Sequence, residues 1–378
     1  MKFLNSCAIV CCALFAPVGQ VHAGYTLTNL GTLAGGSFSF GNGVNASGQV
    51  TGYGDVADGA FHAFLSAPNG GALKDLGTLG GPLSFGFGVN DLGQVAGTSY
   101  VDGSHVRAFL SFPNGGSLTT LETLPGGENS SGAGINKLGQ VAGTAPVDVT
   151  GFFNHPFLSA PNGGALKDLG TLPGGSRSFG QAVNDSGQVT GFGFVGEHLH
   201  AFLSAPNGGS LKDLGTIGGS SSSGFGVNSS GQVVGSSDVA GDTAPHAFLS
   251  APNGGALKDL GTLPGGSKSN GFGVNASGQV VGTGNGAGFF EHAFLSAPNG
   301  GVLSDLNTLV APSIYTLTEA RNISDNGYIT GYMVDRHQHQ YAYLLTPTAV
   351  PEPSTIVVST FLLGMSGLVR TIKRLNRK

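Results

Sequence analysis

The sequence predicts an all-β protein, a seven-bladed β-propeller of four-stranded blades whose ring is closed by pairing of the N- and C-terminal strands. Three observations support this prediction. A block of about 46 residues recurs seven times along residues 25–345. Each copy contains four short apolar segments separated by turn residues, and the first and last copies are incomplete in complementary ways. Four strands in a repeat of this length are typical of a propeller blade.

The repeat is anchored by a residue that precedes a short apolar segment ending in glycine. The anchors are Gln49, Gln94, Gln140, Gln188, Gln232 and Gln279, with Tyr328 at the seventh place. Successive anchors lie 44–49 residues apart, so the copies differ little in length. The apolar segments are bounded by Gly, Pro, Asn and Ser, which favours short strands over helices.

Two turn motifs divide each copy into hairpins. Asn-x-x-Gly-Gln-Val, as in residues 184–189, combines an Asx turn with a glycine that tolerates positive φ. Pro-Asn-Gly-Gly, as in residues 206–209, contains the Asn-Gly pair that favours a tight turn between paired strands. Together the two hairpins give four strands per copy.

The two ends of the repeat region supply half a copy each. Residues 25–33 match the Leu-Lys-Asp-Leu-Gly-Thr-Leu segment, but no His-Ala-Phe-Leu segment precedes them. Residues 341–344, Tyr-Ala-Tyr-Leu, correspond to His-Ala-Phe-Leu, and no Asp-Leu-Gly segment follows. We therefore expect the two ends to pair and complete one blade, as in a closed ring rather than an open solenoid.

The order of strands within a blade determines which loops share a face. We expect Gly-Phe-Gly-Val-Asn innermost, then Gln-Val-x-Gly, His-Ala-Phe-Leu and the outermost Leu-x-Asp-Leu-Gly. Both tight turns then lie on one face, and the segments that differ most between copies lie on the other, where recognition is expected. These variable segments are residues 53–61, 98–106, 144–154, 192–199, 236–245, 283–291 and 332–340.

The body resembles the bacterial extracellular HAF-repeat family, named for a His-Ala-Phe segment. The segment occurs here at residues 62–64, 200–202, 246–248 and 292–294. Arg107 and Tyr341 replace the histidine in two other copies, and Pro156 follows His155 in a third. The resemblance covers residues 25–345 and implies an extracellular protein, but it implies no activity.

The N-terminal residues 1–23 have the features of a signal peptide. The apolar stretch 7–18 follows Lys2, and Val21-His22-Ala23 presents small residues at the positions that a signal peptidase reads, so cleavage is expected between Ala23 and Gly24. All three cysteines, at positions 7, 11 and 12, lie in this leader. The mature chain would then have no disulfide and no thiolate metal ligand.

The C-terminal residues have a three-part organisation. Residues 347–355 form a linker that contains Pro351, Glu352 and Pro353, and residues 356–378 comprise an uncharged run to Val369 and a basic tail. The layout is typical of a membrane segment with a cytoplasmic stop. We expect a short hydrophobic helix here; at 14 residues the run is shorter than the ~20 of a comfortable span, which favours transient anchoring.

This tail resembles the PEP-CTERM sorting signal of Gram-negative bacteria, with its features in the same order. In that family an exosortase recognises and processes the tail, usually in organisms that make exopolysaccharide. The resemblance covers residues 350–378 and implies signal peptidase and an exosortase as partners, with the domain of seven repeats, residues 24–346, exported to the cell envelope or beyond. It implies a destination and no activity.

The sequence offers little support for nucleic-acid binding, metal binding or catalysis. Acidic residues outnumber Lys and Arg two to one in the repeat region, which argues against a nucleic-acid partner. The recurring histidines, at 62, 155, 200, 246 and 292, favour a structural role because equivalent positions spread around a ring. Three local clusters, residues 55–59, 197–200 and 335–339, contain too few ligands for calcium or zinc.

The notable remaining side chains are carboxylates and aromatic rings. Glu122, Glu128, Glu197 and Glu291 are carboxylates that fall in different copies. Their separation would decide whether a glycosidase pair exists. The aromatic candidates for ligand contact are Tyr53, Tyr100, Phe152, Phe153, Phe289 and Phe290.

From these features we expect a noncatalytic binding or structural protein without a cofactor, whose partner is an exopolysaccharide or an envelope protein. A secreted polysaccharide hydrolase or lyase on the same scaffold is the alternative. A third hypothesis is a structural protein that self-associates through its Gly-Phe-rich strands.

Overall fold

The computed structural model describes residues 24–241, 244–287 and 290–348. Within these ranges it is an all-β ring of seven four-stranded antiparallel sheets, which confirms the predicted propeller. The predicted signal peptide, Ala23, the sorting motif Pro351, Glu352 and Pro353, and the expected C-terminal hydrophobic helix lie outside the described residues. In the described part of the chain, no helix has the length and hydropathy needed to cross a membrane.

The strands are numbered in chain order, and each of the first six blades takes four consecutive strands. The chain begins with β1 (Tyr25–Asn29). Blades one to three are β2 (Ser39–Val44), β3 (Val50–Asp55), β4 (Phe61–Ser66), β5 (Leu73–Asp75); β6 (Ser84–Val89), β7 (Val95–Tyr100), β8 (Val106–Ser111), β9 (Leu118–Thr120); β10 (Ser131–Ile135), β11 (Val141–Pro146), β12 (Asn154–Ser159), β13 (Leu166–Asp168). Blades four to six are β14 (Ser178–Val183), β15 (Val189–Val195), β16 (His198–Ser204), β17 (Leu211–Asp213); β18 (Gly218–Val227), β19 (Val233–Val239), β20 (Pro245–Ser250), β21 (Leu257–Asp259); β22 (Ser269–Val274), β23 (Val280–Asn285), β24 (Glu291–Ser296), β25 (Leu303–Asp305).

The seventh blade is built from both ends of the chain. It comprises β26 (Thr316–Ile323), β27 (Ile329–Val334), β28 (Gln340–Pro347) and β1, in that order from the inside outward. Strand β1 is antiparallel to β28, with Tyr25 opposite Pro347 and Asn29 opposite Tyr343. The predicted ring closure is therefore confirmed. Three short 3-10 turns, Pro68–Gly70, Pro161–Gly163 and Leu306–Thr308, are the helical elements of the described residues.

The predicted strand order and the predicted turns are both confirmed. In blade one the order from the inside is β2, β3, β4, β5. In the second hairpin Asn69 and Gly70 have φ of 55° and 69°, the left-handed conformation that Asn and Gly tolerate best. The two tight turns of this blade touch, because the Asn69 N–H donates to Ser47 O at 3.0 Å. They therefore share one face, which we call the turn face, and the variable segments occupy the opposite loop face.

The phenylalanine of the His-Ala-Phe segment forms the centre of each blade. Phe64 is fully buried and lies opposite Gly52 of the neighbouring strand. A Cβ at Gly52 would collide with Phe40 O and would lie 2.9 Å from the Phe64 ring, so glycine is required there. The equivalent buried rings in the other blades are Phe109, Phe157, Phe202, Phe248, Phe294 and Tyr343.

Buried asparagines connect neighbouring blades near the turn face. Asn136 is 4% exposed, and its Oδ1 accepts the backbone N–H groups of Leu138 and Gln140. Its Nδ2 donates to Gln140 Oε1 at 2.9 Å and to the carbonyl of Asn184, in the next blade, at 3.0 Å. The same bond to the next blade is made by Asn45, Asn90, Asn184 and Asn228.

A second set of interblade hydrogen bonds uses the serine at the start of the inner strand. Ser84 is buried, and its Oγ accepts the N–H of Ala63 in the preceding blade at 2.8 Å. Pro156 takes the place of this alanine in blade three and has no N–H. The serine that faces it, Ser178, accepts the N–H of Leu172 instead, at 3.2 Å.

The Asn136→Ala variant should lose about 3 kcal/mol of unfolding free energy, because it leaves a buried carbonyl and buried N–H groups without partners. The matched control is Lys137→Ala. Lys137 Nζ binds Asp185 Oδ2 at 2.8 Å across the same blade interface, but the pair is exposed and should contribute little. Urea unfolding of both variants measures the difference, and equal losses would contradict the role assigned to Asn136.

Candidate functional site

The recurring histidines join the two outer strands of a blade. His62 Nδ1 lies 2.9 Å from Asp75 Oδ2, and Asp75 Oδ1 also accepts the Gly77 N–H at 2.7 Å. The other pairs with this geometry are His155 with Asp168, His200 with Asp213, His246 with Asp259 and His292 with Asp305. This arrangement agrees with the structural role that the sequence favoured.

The two blades that lack the histidine also lack the aspartate. In blade two Arg107 accompanies Thr120, and in blade seven Tyr341 accompanies Asn29. Loss of both residues in the same blade is expected if the role of each is to bind the other. In the described ranges, no group of three or more His, Cys, Asp or Glu side chains is arranged to hold a metal ion.

Aspartates within the variable segments bind the backbone of their own or neighbouring loops. Asp335 Oδ1 accepts the N–H groups of His337 and His339, at 2.7 and 3.0 Å. Asp55 Oδ1 accepts the N–H groups of Ser37 and Phe38. Two clusters named from the sequence are residues 55–59 and 335–339. Asp55 and Asp335 in these clusters thus accept hydrogen bonds from the backbone of the loops. In the third, residues 197–200, Glu197 and His198 are exposed and His200 binds Asp213.

Hydrogen bonds also hold the loop that follows β7. Asp102 accepts the backbone N–H of His105 at 2.7 Å and that of Ser104 at 2.8 Å. These bonds lower the pKa of Asp102 well below its ordinary value of 3.8. The loop is therefore a closed Asx-type structure that leaves this carboxylate few free lone pairs for a ligand.

The inner strands leave a central channel that contains a cavity of about 700 Å³. Each inner strand has a β-bulge, for example at Asn42 between Gly41 and Gly43. The bulge residues all line the cavity, and they differ between blades although the flanking residues are mostly glycine. In blade order they are Asn42, Phe87, Ala133, Gln181, Phe225, Phe272 and Arg321.

A second set of equivalent positions lies where the two inner strands reach the loop face. One residue from each strand forms a cross-strand pair, and we call the seven pairs the mouth pairs. In blade order they are Phe40–Tyr53, Phe85–Thr98, Ser131–Thr144, Phe179–Phe192, Ser223–Ser236, Asn270–Thr283 and Glu319–Tyr332. The same backbone therefore carries rings on some blades and small polar groups on others.

The mouth pairs of blades seven, one and two form a continuous aromatic surface. Phe40 stacks on Tyr53 with 5.5 Å between ring centroids and lies 4.4 Å from the Tyr332 ring. Tyr53 contacts Phe85 edge to face at 5.0 Å. Phe38 and Phe61 extend the surface toward the variable loop of blade one. All six rings are half-buried, and we call them the aromatic belt.

Small hydroxyl side chains make the corresponding interblade contacts on either side of the belt, between blades two and three and between blades six and seven. Thr98 Oγ1 lies 2.7 Å from Ser131 Oγ, and Thr283 Oγ1 donates to Thr318 O at 2.9 Å. Neighbouring blades can therefore be joined at the mouth without aromatic rings. The belt exceeds what blade packing requires, and a half-exposed apolar surface of this kind is typical of a binding site.

Blade seven places a buried carboxylate and a partly exposed guanidinium beside the belt. Glu319 is 7% exposed, and its carboxylate contacts the Nε of Arg321 two residues along the same strand. Burial raises the pKa of Glu319 above its ordinary value of 4.5, and Arg321 opposes the rise. Burial, together with the charges of Glu319 and Glu291, raises the pKa of Tyr332 to about 12, so this phenol stays protonated at neutral pH.

A smaller aromatic group lies between blades three and four. The guanidinium of Arg177 is 4.7 Å from the Phe152 ring centroid and 4.2 Å from that of Phe194. Phe152 and Phe153 are exposed, with rings in contact edge to face at 5.2 Å. These contacts hold the long loop of blade three against its neighbour, beside the part of the cavity that Thr144 and Asn154 line.

The structure brings together only some of the residues named from the sequence. Tyr53 is in the belt, Tyr100 is half-buried at a strand end, Phe290 is exposed, and Phe289 lies outside the described residues. Glu122, Glu128 and Glu197 are exposed, whereas Glu291 binds Lys268 at 2.7 Å and lies within electrostatic reach of Glu319.

Glu319 and Arg321 were not identified from the sequence. The signal was available, because they stand in the one inner strand that replaces Ser-Phe-Gly-x-Gly with Thr-Glu-Ala-Arg-Asn. Both positions are uncharged in the six other blades, so two charges here mark the departure.

Solved structures with the same architecture share little sequence with this chain. An oligogalacturonate lyase from Vibrio parahaemolyticus has a TM-score of 0.52 at 12% identity, covering 84% of this chain and 93% of that chain. TolB from Acinetobacter baumannii has a TM-score of 0.46 at 12% identity, covering 76% of each chain. At these identities the likeness concerns the fold alone. No protein-family model and no curated protein matches the sequence.

The Glu319→Gln variant should become more stable relative to the wild type as pH rises. Because the fold raises the pKa of Glu319, the stability that the protonated carboxyl contributes is full below pH 4.5 and is lost as pH rises through the higher folded pKa. Glutamine resembles the protonated form at every pH. Thermal unfolding from pH 4 to 7 measures the effect; Glu122→Gln, at an exposed site, is the control. A pH-independent difference would contradict the assignment.

Proposed function

We propose that this chain is an exported protein of the cell envelope or extracellular matrix that binds a polymer noncatalytically at the loop face of its propeller. The mouth pairs support the proposal, because they place aromatic rings on blades seven, one and two of an otherwise repeated frame. Rings with one free face bind apolar faces of sugars, and tyrosine adds a hydroxyl. Exopolysaccharide is the proposed partner, and an envelope protein is the alternative partner.

The cavity supports a binding role for the same face. Its volume of about 700 Å³ is within the range of small-molecule sites. Its lining combines rings, such as Phe87 and Phe272, with amides, such as Asn42 and Gln181. A polymer that lies on the aromatic belt could extend one residue or branch into this cavity.

The double variant Phe40→Ser, Tyr53→Thr should bind the producer's exopolysaccharide at least tenfold more weakly, a loss of about 1.4 kcal/mol. The substitutions copy the Ser131–Thr144 pair of blade three, so the fold should tolerate them. Cosedimentation of the full chain with purified matrix polymer measures binding.

The control for this experiment is Phe112→Ala. Phe112 is 59% exposed and belongs to a Pro-Asn-Gly-Gly hairpin on the turn face. Its removal should leave binding unchanged. Equal binding by the wild type and the double variant, or equal losses in the double variant and the control, would contradict the proposed site.

Export and sorting form the second part of the proposal. We propose cleavage by signal peptidase between Ala23 and Gly24, transient anchoring in the inner membrane by residues 356–378, and processing of the tail at Pro351, Glu352 and Pro353 by an exosortase-type enzyme. The three-part organisation of the tail supports this path.

Replacing Glu352 by alanine should leave the tail unprocessed and the chain in the inner-membrane fraction. Cell fractionation and the mass of the purified chain measure the outcome. Ser354→Ala, next to the motif, is the control and should be processed normally. Normal processing of the Glu352 variant would show that the tail is not read in the proposed way.

A secreted polysaccharide hydrolase or lyase is the second candidate function. The pair Glu319–Arg321 favours it, because a buried carboxylate with a raised pKa beside a cation and Tyr332 is a combination found in active sites. The Vibrio parahaemolyticus protein with the same fold is, by name, an oligogalacturonate lyase. Release of reducing or unsaturated ends from the matrix polymer, lost in Glu319→Gln, would establish catalysis.

A further inference from the structure

Arg321 is the only cationic side chain among the described residues that line the cavity. Its guanidinium lies 4.5 Å from the centroid of the Phe272 ring and 5.6 Å from that of Phe40. The planar group is therefore held between two aromatic side chains from different blades, at the point where the channel meets the aromatic belt. This placement makes Arg321 a candidate to contact any ligand that enters from the loop face.

The Nε edge of the guanidinium is buried and contacts the Glu319 carboxylate. The Arg321 side chain is 37% exposed, whereas that of Glu319 is 9% exposed. Arg321 thus lines the cavity, whereas Glu319 is not one of the lining residues and is largely shielded from solvent.

The charge of Arg321 is balanced within the protein. An ionised Glu319 neutralises the guanidinium at contact distance, and the nearby Lys268 and Glu291 balance each other in the same way. The other polar side chains of the lining are uncharged amides, such as Asn42, Gln181 and Asn322, and hydroxyls. The site therefore offers hydrogen-bond donors and acceptors with no net charge to attract an anion.

We propose that the site formed by the mouth pairs and the adjoining cavity selects an uncharged, hydroxyl-rich polysaccharide. Glu319 is the specificity-determining residue, because it neutralises and positions Arg321. The inference rests on the proposed binding function. Hydroxyl and ether oxygens of a neutral sugar accept hydrogen bonds from Arg321, and the C–H face of the sugar ring stacks on the adjacent aromatic side chains. An acidic sugar would bring its carboxylate toward Glu319 in a partly desolvated site, where like charges repel strongly.

The charge distribution of the repeat region supports this selectivity. Acidic residues outnumber Lys and Arg two to one there, so a polyanion meets a repulsive field before it reaches the mouth. Neutral polymers encounter no such barrier.

The test compares two probes that differ only in charge, polygalacturonate and its fully methyl-esterified form. The full chain, purified in mild detergent, should bind the ester at least tenfold more tightly than the acid in calorimetric titrations. In Glu319→Gln, Arg321 regains an unbalanced charge, so the ratio should shift by at least tenfold toward the acid. Arg321→Met, which keeps the apolar volume, should weaken binding of the ester at least tenfold.

Every other outcome contradicts the proposed selectivity for a neutral polysaccharide. Tighter binding of the acid by the wild type, an unchanged ratio in Glu319→Gln, unchanged binding of the ester in Arg321→Met, or binding of neither probe would overturn the proposal. Failure here is distinguishable from failure of the proposed function. If the producer's polymer still binds the wild type and is lost in Phe40→Ser, Tyr53→Thr, the binding site stands and only its selectivity is wrong.

Discussion

The ring depends on a buried asparagine amide that joins five of the seven blades to the next. Asn45 illustrates it: Oδ1 accepts the backbone N–H groups of its own turn, and Nδ2 donates to the Asn90 carbonyl of the following blade at 3.0 Å. One side chain thus defines a hairpin and the spacing between two sheets. Because the amide is nearly inaccessible to water, a change in blade spacing would leave strong hydrogen-bonding groups unpaired. The repeated spacing allows seven similar sheets to close.

This constraint explains which positions can vary. Three residues recur because they hold the repeated fold together. They are the asparagine that joins two blades, the serine at the start of the inner strand and the glycine opposite the buried phenylalanine. The bulge residues and the mouth pairs hold no repeated bond, so each blade can carry a different side chain there. Blade seven uses this freedom most, since it replaces the uncharged residues of the other blades with Glu319 and Arg321. Any function of the ring is therefore concentrated in the residues that break the pattern.

Most of the fold could be predicted from the sequence. Strand number, strand order, the two turns and closure by residues 25–29 all followed from period, turn chemistry and the complementary half-copies. The strands and turns are local signals that the sequence repeats six or seven times, and closure follows from the two complementary half-copies. The sequence of the outer strands also contains the paired loss of histidine and aspartate in blades two and seven.

The candidate site could be predicted only in part. Tyr53 was named, but its partners Phe40, Phe85 and Tyr332 come from three different blades, and only the ring geometry brings them together. Glu319 was not predicted, because functional residues were expected in the variable loops, whereas Glu319 and Arg321 lie within an inner strand. The burial that raises its pKa depends on packing between blades, which no single repeat reveals.

The shared seventh blade imposes an order of assembly. Strands β2 to β25 can form six sheets from neighbouring segments as the chain emerges, each with contacts close in sequence. Leu27 meets its partner Leu345 only after the last strand has been synthesised. Until then strand β1 has no sheet to join, and the ring stays open at the position of the seventh blade. Completion of the molecule is thus a single late, long-range event, while everything before it is local.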